Sequence, residues 1–301
     1  MSNPKILLFI ALGLVALPYL MKWASSMRAT PPGLPTATEG LIGFGTNFFD
    51  TLGIGSYAPT TALFRVLRLV PDERIPGTLN IGHALPTLVQ AFIYISIVQV
   101  EFQTLVLLIG ASVLGSWLGA GAVSTWSRRK IQLGMGVALL VAAALFVMKN
   151  LDELRGTPLF PGGDALGLHG TLLYAALAGN FMLGALMTLG IGLYAPCLIM
   201  ISLLGMNPTA AFPIMMGSCA FLMPVASLRF LKAGSVSLRP ALGLALGGIP
   251  AVLIAALIVK NLPLTAVRWG VVVVVLYTAV TMLRAGMRAL SAPEAAGQQA
   301  V

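Results

Sequence analysis

Two short, nearly identical stretches contain the residues best suited to do chemistry. Residues 51–59 read TLGIGSYAP and residues 188–196 read TLGIGLYAP, which are identical at eight of nine positions with an offset of 137. Glycine lets a ligand approach the main chain closely, and proline is tolerated at the start of a helix. Each stretch therefore predicts the end of one helix and the start of another, whose free amide hydrogens can bind an anion.

We expect a substrate-binding site built from these two breaks and from small polar residues near them. A pair of packing kinks is the alternative, because glycine and proline are common in transmembrane helices. The substrate-binding candidates are Gly53, Gly55, Ser56, Tyr57, Thr60, Asn80, His83, Gly190, Gly192, Tyr194, Cys197 and Ser218.

Asp50 and His83 are the candidates for proton coupling. Asp50 is the acidic residue that the sequence places deep inside an apolar segment, where a carboxylate is costly and is a functional hypothesis by default. A helix cap or a partner for a basic residue is the alternative role for Asp50. His83 could donate to an anion or titrate near neutral pH, or it could simply bond a neighbouring helix. The residue that matches Asp50 in the second stretch is Met187.

The elements that position these residues are transmembrane helices. The chain has 301 residues, of which 58% are hydrophobic and 9% charged, and its mean hydropathy is +0.94. A soluble domain has about a quarter of its residues charged, so a soluble enzyme, a coiled coil and a disordered chain are excluded. The net charge of +9 lies mostly in short loops, as orientation signals do, and does not indicate nucleic-acid binding.

Seven apolar segments are long enough to cross a bilayer as single helices, which requires about 20 residues. They are roughly 4–24, 76–97, 103–125, 131–148, 209–228, 240–260 and 268–284. Two longer stretches, 38–70 and 170–204, each contain one of the Gly/Pro breaks. A polar linker separates the two parts of the chain, and the tail beyond Leu290 is predicted to be disordered.

The chain reads as an internal duplication, because the same offset of 137 also pairs Pro71 with Pro208 and Pro76 with Pro213. If both broken stretches enter and leave on one side, the 18 basic residues divide 13 to 5 across the membrane; if both cross, they divide nine and nine. If only the second stretch is re-entrant, the basic residues divide 12 to 6, and if only the first is, they divide 10 to 8. Two re-entrant stretches are preferred, because matching sequences should fold alike. Two re-entrant hairpins give inverted repeats, in which broken helices indicate a midplane transport site.

The predicted fold is therefore an all-α polytopic membrane protein with two inverted repeats and an extra N-terminal transmembrane helix. Each repeat has a broken, re-entrant helical hairpin and three transmembrane helices. The predicted parts are 1–30 for the N-terminal helix, 38–149 for repeat 1, 150–169 for the linker, 170–284 for repeat 2 and 285–301 for a cytoplasmic tail. Lys5 precedes an apolar run, so a cleaved signal peptide is the other interpretation of the first helix.

No enzyme is predicted, because a nucleophile beside a base, paired carboxylates or a metal cluster would be required. Beyond Asp50 and His83, the apolar segments hold none of these. The two cysteines, Cys197 and Cys219, form neither a disulfide framework nor a metal-binding spacing, and no cofactor or metal is expected. A membrane-embedded assembly or sensor protein is a rival interpretation that would bind no small anion.

Residues 217–248, GSCAFLMPVASLRFLKAGSVSLRPALGLALGG, with the Gly-Ile-Gly…Pro break before them, resemble the sulfite exporter TauE/SafE family, also called toluene sulfonate uptake permeases. The resemblance covers residues 38–284. In that family a run of three glycines is common, whereas here Gly55 is followed by Ser56 and Tyr57. Asn80-Ile81-Gly82-His83 also replaces a Gly-Thr-Ser-like element, to which Gly217-Ser218-Cys219 is nearer.

The resemblance implies a permease that moves a small anion, such as sulfite, an organosulfonate or a related sulfur-containing oxyanion, across the bacterial inner membrane. Alternating access, export and a cytoplasmic C-terminus are the expectations. An anion channel or a transporter of a non-sulfur organic anion are the alternatives. The expected partners are the small anion, protons where coupling occurs and the lipid bilayer, with no nucleic acid; a homodimer is left open.

Overall fold

The described residues of this computed structural model, 3–156, 162–190, 192–258 and 264–291, are almost entirely helical. Short 3₁₀ turns lie at Asp72–Arg74 and Pro208–Ala210. The α-helices are α1 (Asn3–Ala29), α2 (Ala37–Thr51), α3 (Tyr57–Val66), α4 (Ile75–Ile97), α5 (Phe102–Val123), α6 (Arg128–Arg155), α7 (Gly170–Met187), α8 (Tyr194–Leu203), α9 (Ala211–Ala233), α10 (Leu238–Ile258) and α11 (Leu264–Ser291).

Six helices within the described ranges are long and apolar enough to cross a membrane, namely α1, α5, α6, α7, most of α10, and α9 with the turn before it. Leu7, Leu14 and Met21 on α1 are each about two-thirds exposed, as expected for side chains that face lipid. The prediction of a helical chain with helices suited to crossing a membrane is confirmed for the described residues.

A helix also lies in each of the seven predicted apolar segments. α4 is not among the six apolar spans, because it contains buried polar side chains at Thr78, Asn80, His83, Thr87 and Gln90. α7 belongs to one of the two predicted broken stretches, yet it alone has the length of a short span.

The two breaks are present in the backbone. α2 ends at Thr51 and α3 begins at Tyr57, while α7 ends at Met187 and α8 begins at Tyr194. Gly53 and Gly190 both have φ near +90°, a conformation that side chains other than glycine rarely adopt. Neither broken stretch is one continuous helix.

Helices from the first part of the chain pack mainly on helices from the second. α2 lies against α10, α7 against α5, α4 against α9 and α6 against α11. Glycines permit this close packing: a Cβ at Gly43 would lie 2.6 Å from the Leu244 Cα, and a Cβ at Gly115 would clash with the Phe181 carbonyl oxygen.

Two of the predicted boundaries differ from those of the helices. α6 continues through the start of the predicted linker to Arg155, and α11 continues to Ser291, into the predicted tail. Both extensions follow from helix-compatible residues beyond the apolar run, because helix length is not limited by hydropathy. The predicted linker residues 157–161 and the predicted disordered tail from 292 onward lie outside the described residues.

Candidate functional site

The two breaks meet around one small cavity of about 10 Å³. A second cavity of about 20 Å³ adjoins it and shares Gly55, Tyr57, Gly192 and Tyr194. Such volumes hold about one water molecule each. The first cavity is lined by Asp50, Gly55, Ser56, Tyr57, Thr87, Met187, Gly192, Leu193, Tyr194, Cys219 and Met223.

The N-terminal ends of α3 and α8 both reach this cavity. Tyr57 is the first residue of α3 and Tyr194 is the first residue of α8, and neither preceding residue makes a side-chain cap. The first amide hydrogens of a helix have no acceptor within that helix, so each end carries partial positive charge. Pro59 and Pro196 occupy the third helical position rather than the first, where a missing N–H still breaks no helical hydrogen bond.

Asp50 is held by side chains from two other helices. Its Oδ2 accepts a hydrogen bond of 2.8 Å from Gln90 Nε2 and lies 3.2 Å from the Tyr194 hydroxyl. The Tyr194 hydroxyl is also 2.9 Å from Gln90 Oε1, and Gln90 Nε2 is 2.9 Å from Thr51 Oγ1. Asp50 of the first break and Tyr194 of the second are thus joined in one buried network.

Tyr57 has very different surroundings from its counterpart Tyr194. Its side chain is 1% exposed, and its hydroxyl has no hydrogen-bond partner within the described part of the chain. The phenol ring lies edge-on to the His83 ring, with 5.8 Å between the ring centroids. A buried hydroxyl without a protein partner is a donor available to a ligand oxygen, since buried hydroxyls are normally paired.

Both ring nitrogens of His83 have protein partners. Nε2 lies 3.0 Å from Thr60 Oγ1, and Nδ1 lies 3.0 Å from Asn47 Oδ1. His83 does not line either central cavity. This geometry favours the interhelical hydrogen-bond role for His83 and Thr60, and places them behind Tyr57 rather than beside the breaks.

The remaining predicted site residues do not line the first cavity. Asn80 donates to the Pro76 carbonyl and its Oδ1 is unpaired within the described residues. Ser218 accepts from Asn180 Nδ2 at 3.0 Å, and Cys197 is fully buried. Gly53 lies next to Phe212, and Gly190 faces Met135.

Gln90 is the main site residue that sequence reasoning missed, together with Thr87 and Cys219. The spacing of polar residues could have revealed Gln90 and Thr87. Polar residues recur at intervals of three and four positions in this apolar helix, at Asn80, His83, Thr87 and Gln90. That spacing places polar side chains on one helical face. Cys219 Sγ lies 3.6 Å from Met187 Sδ, and both residues line the first cavity together with Asp50.

No group of three or more His, Cys, Asp or Glu side chains suited to a metal ion occurs in the described ranges. The site therefore consists of helix ends, hydroxyls, one carboxyl group and sulfur atoms. Comparison of the chain with protein-family models, curated proteins and solved structures finds no match.

Proposed function

We propose that the protein is a membrane transporter of a small anion, with its binding site where the two breaks meet. The observation that carries the proposal is that the starts of α3 and α8, each headed by a tyrosine, line one buried cavity. Two helix N-termini directed at one point favour negative charge there. Irregular backbone at membrane depth is tolerable where it lines a cavity or is buried in protein.

The proposed architecture is a pair of inverted repeats with re-entrant hairpins, after an N-terminal helix. The order and spacing of the helices support it. α3 and α8 each have ten residues and start 137 residues apart. The starts of α4 and α5 precede those of α9 and α10 by 136 residues (75 to 211 and 102 to 238). The reciprocal packing of α2 on α10 and of α7 on α5 fits a pseudo-twofold relation.

Contacts at the ends of α7 and α8 favour a hairpin over a crossing. The Asn207 amide donates to the Ala165 carbonyl at 2.8 Å, and the Gly163 amide donates to the Met206 carbonyl at 3.1 Å. Residues just before α7 are therefore bonded to residues just after α8. A segment that crossed the membrane would separate these ends by about 30 Å.

Contacts of α2 and α3 favour the same arrangement for the first break. Thr38, near the start of α2, and Leu63, near the end of α3, line one cavity, as do Ile42 and Pro59. A cavity lined by both helices supports a hairpin in which α3 turns back towards the start of α2. Such a hairpin needs the bend that Gly53 and Gly55 provide, both with φ near +90°.

We propose sulfite, an organosulfonate or a related sulfur-containing oxyanion as the substrate, on the resemblance of residues 217–248 to the TauE/SafE family. Export across the bacterial inner membrane, with the C-terminus in the cytoplasm, rests on the same resemblance. A cavity of about 10 Å³ holds only a water molecule. The hairpins must therefore separate to admit an anion, which is consistent with alternating access.

Asp50 provides a route to proton coupling. An anion in this cavity would lie close to the Asp50 carboxyl group, and two negative charges at that distance repel strongly. Binding of the anion therefore favours the protonated, neutral form of Asp50, so that anion and proton are bound together. His83, whose two nitrogens are already bonded, is the weaker candidate.

Flux measurements in proteoliposomes test the proposal. Sulfite flux should saturate with concentration and rise as the pH falls, whereas Asp50→Asn should remove most of the pH dependence. Leu14→Ala, at a lipid-facing position of α1, serves as the matched control and should behave like the wild type. Flux that stays linear with concentration would indicate a channel. Transport is contradicted if sulfite, sulfate, thiosulfate, sulfonates and carboxylates neither move nor stabilise the protein.

A further inference from the structure

Arg68 is the only described residue other than glycine with a positive φ, at 53°. It follows α3, where the Leu69 amide donates to the Phe64 carbonyl at 3.0 Å and the Arg68 amide donates to the Arg65 carbonyl at 3.2 Å. Helices commonly end in this way with glycine at the left-handed position. An arginine there is disfavoured by contact between its Cβ and the following carbonyl oxygen.

The second part of the chain has the expected glycine at the matching position. Gly205 follows α8 with φ +81°, the Met206 amide donates to the Ile201 carbonyl, and the Gly205 amide donates to the Ser202 carbonyl. The two helix ends have the same hydrogen bonds, and a Cβ at Gly205 would meet no atom within 4 Å. Backbone geometry therefore gives no reason for arginine at position 68, and the reason must lie in its side chain.

The Arg68 side chain lines a polar cavity of about 760 Å³ at the end of α3. Arg65 is bonded to Asp72, and Arg128 lies 3.8 Å from Glu73. Within the described ranges, Arg68 has no acidic partner. Both acidic side chains of the cavity are thus paired with Arg65 or Arg128. The guanidinium group of Arg68 remains available to a ligand.

We propose that this cavity binds an oxyanion, with Arg68 as the primary contact and Arg65 and Arg128 at its sides. A guanidinium group forms paired hydrogen bonds with sulfonate, phosphate or carboxylate oxygens. The ligand is either a small anion on its way to the central site or the headgroup of an anionic lipid. Binding of a small anion on its way to the central site rests on the proposed function, whereas binding of a lipid headgroup does not.

The test compares Arg68→Gly and Arg68→Asn with Gly205→Arg, using thermal unfolding of the purified protein. Asparagine tolerates the left-handed conformation, so Arg68→Asn removes the charge without new strain. Arg68→Gly should raise the unfolding temperature by about 2 °C without ligand. Gly205→Arg should lower the unfolding temperature and leave ligand responses unchanged.

Sulfite and phosphatidylglycerol are titrated separately, the lipid in phosphatidylcholine nanodiscs. If the ligand is a small anion, both Arg68 variants should raise the sulfite concentration for half-maximal stabilisation by about threefold, typical of one partly exposed charge contact. If the ligand is a lipid, stabilisation by phosphatidylglycerol should be lost in both variants. Responses to both ligands that match the wild type in both variants would overturn the proposal.

A Tyr57→Phe variant separates this proposal from the central site. Loss of the sulfite response in Tyr57→Phe, with the Arg68 variants unaffected, supports the central site and overturns the cavity site for a small anion. If stabilisation by sulfite depends on Arg68 but not on Tyr57, the result supports the cavity site and contradicts the proposed central anion site.

Discussion

Tyr57 and Tyr194 occupy equivalent positions but have opposite hydrogen-bonding states. Tyr194 lies within reach of Gln90 and Asp50, whereas the Tyr57 hydroxyl is buried without a partner among the described residues. The difference follows from sequence, because the position equivalent to Asp50 is Met187, which offers no strong acceptor. One tyrosine therefore completes the protein's own network, and the other is available to a ligand.

Replacing each tyrosine with phenylalanine should give opposite results. Tyr194→Phe removes the buried hydroxyl that lies within hydrogen-bond distance of Gln90 Oε1 and Asp50 Oδ2, and should destabilise the protein by about 1–3 kcal/mol. Tyr57→Phe removes an unpaired buried hydroxyl and should leave the stability unchanged or raised. If the Tyr57 hydroxyl binds the anion, its loss should raise KM about tenfold, equivalent to about 1.4 kcal/mol.

Thermal unfolding and KM for sulfite in proteoliposomes check this pair of variants. The phenylalanine variants are controls for each other, because each retains the ring and loses one oxygen atom. An unchanged KM in Tyr57→Phe would show that its hydroxyl does not bind the substrate.

The sequence was sufficient to identify many of the residues at the site but not their partners. The repeat singled out Gly55, Tyr57, Gly192 and Tyr194, and all four line both central cavities. The contact between Tyr194 and Gln90 joins residues 104 positions apart. Local spacing carries no information on such pairings, because they depend on how separate helices pack.

Among the elements, the breaks were the easiest feature to predict and their backbone conformations the hardest. The glycine and proline content predicts an interruption of a helix, but it does not specify which glycine takes the left-handed conformation. Gly53 and its counterpart Gly190 match in φ, near +90°, and Gly55 has φ +91°. The glycine content of the breaks does not by itself assign this conformation to these three positions.

Alanine substitutions at Gly55 and Gly45 should separate backbone strain from steric crowding. A Cβ at either position would meet no atom within 4 Å. Gly55 has φ +91°, whereas Gly45 lies within α2. Gly55→Ala should therefore destabilise the protein by about 1–2 kcal/mol.

Gly45→Ala is the control, because a Cβ at this position of α2 also meets open space. It should be neutral or stabilise the protein by up to about 1 kcal/mol, because alanine favours helix. Chemical unfolding in detergent measures both variants. An equal loss of stability in Gly55→Ala and Gly45→Ala would mean that φ is not the controlling factor.

At the scale of the whole molecule, composition alone predicted a helical membrane protein, because 9% charged residues cannot cover a soluble surface. The extent of α6 and α11 was not predictable from hydropathy, since a helix can continue beyond the apolar run that embeds it. The packing of α2 on α10 and of α7 on α5 could not be predicted from the sequence either. This packing depends on tertiary contacts between distant parts of the chain.

The inverted arrangement of the two hairpins predicts a labelling pattern for single cysteines. Leu34 precedes α2 and Leu67 follows α3, while Leu166 precedes α7 and Leu203 ends α8, and all four side chains are exposed. If both segments are re-entrant from opposite faces, Leu34→Cys and Leu67→Cys should share one side of the membrane. Leu166→Cys and Leu203→Cys should share the other side.

The sides can be assigned with an impermeant maleimide in bacterial cells that express the chain. The 13-to-5 division of basic residues places residues 34 and 67 on the basic, cytoplasmic side. Their cysteines should therefore react only after permeabilisation, and those at 166 and 203 should react in intact cells. The unmodified chain is the control, because Cys197 and Cys219 are buried. Labelling of positions 34 and 67 from opposite sides would mean that the first broken stretch crosses the bilayer. The repeats would then not be inverted, and the two helix ends would not converge on the proposed anion site.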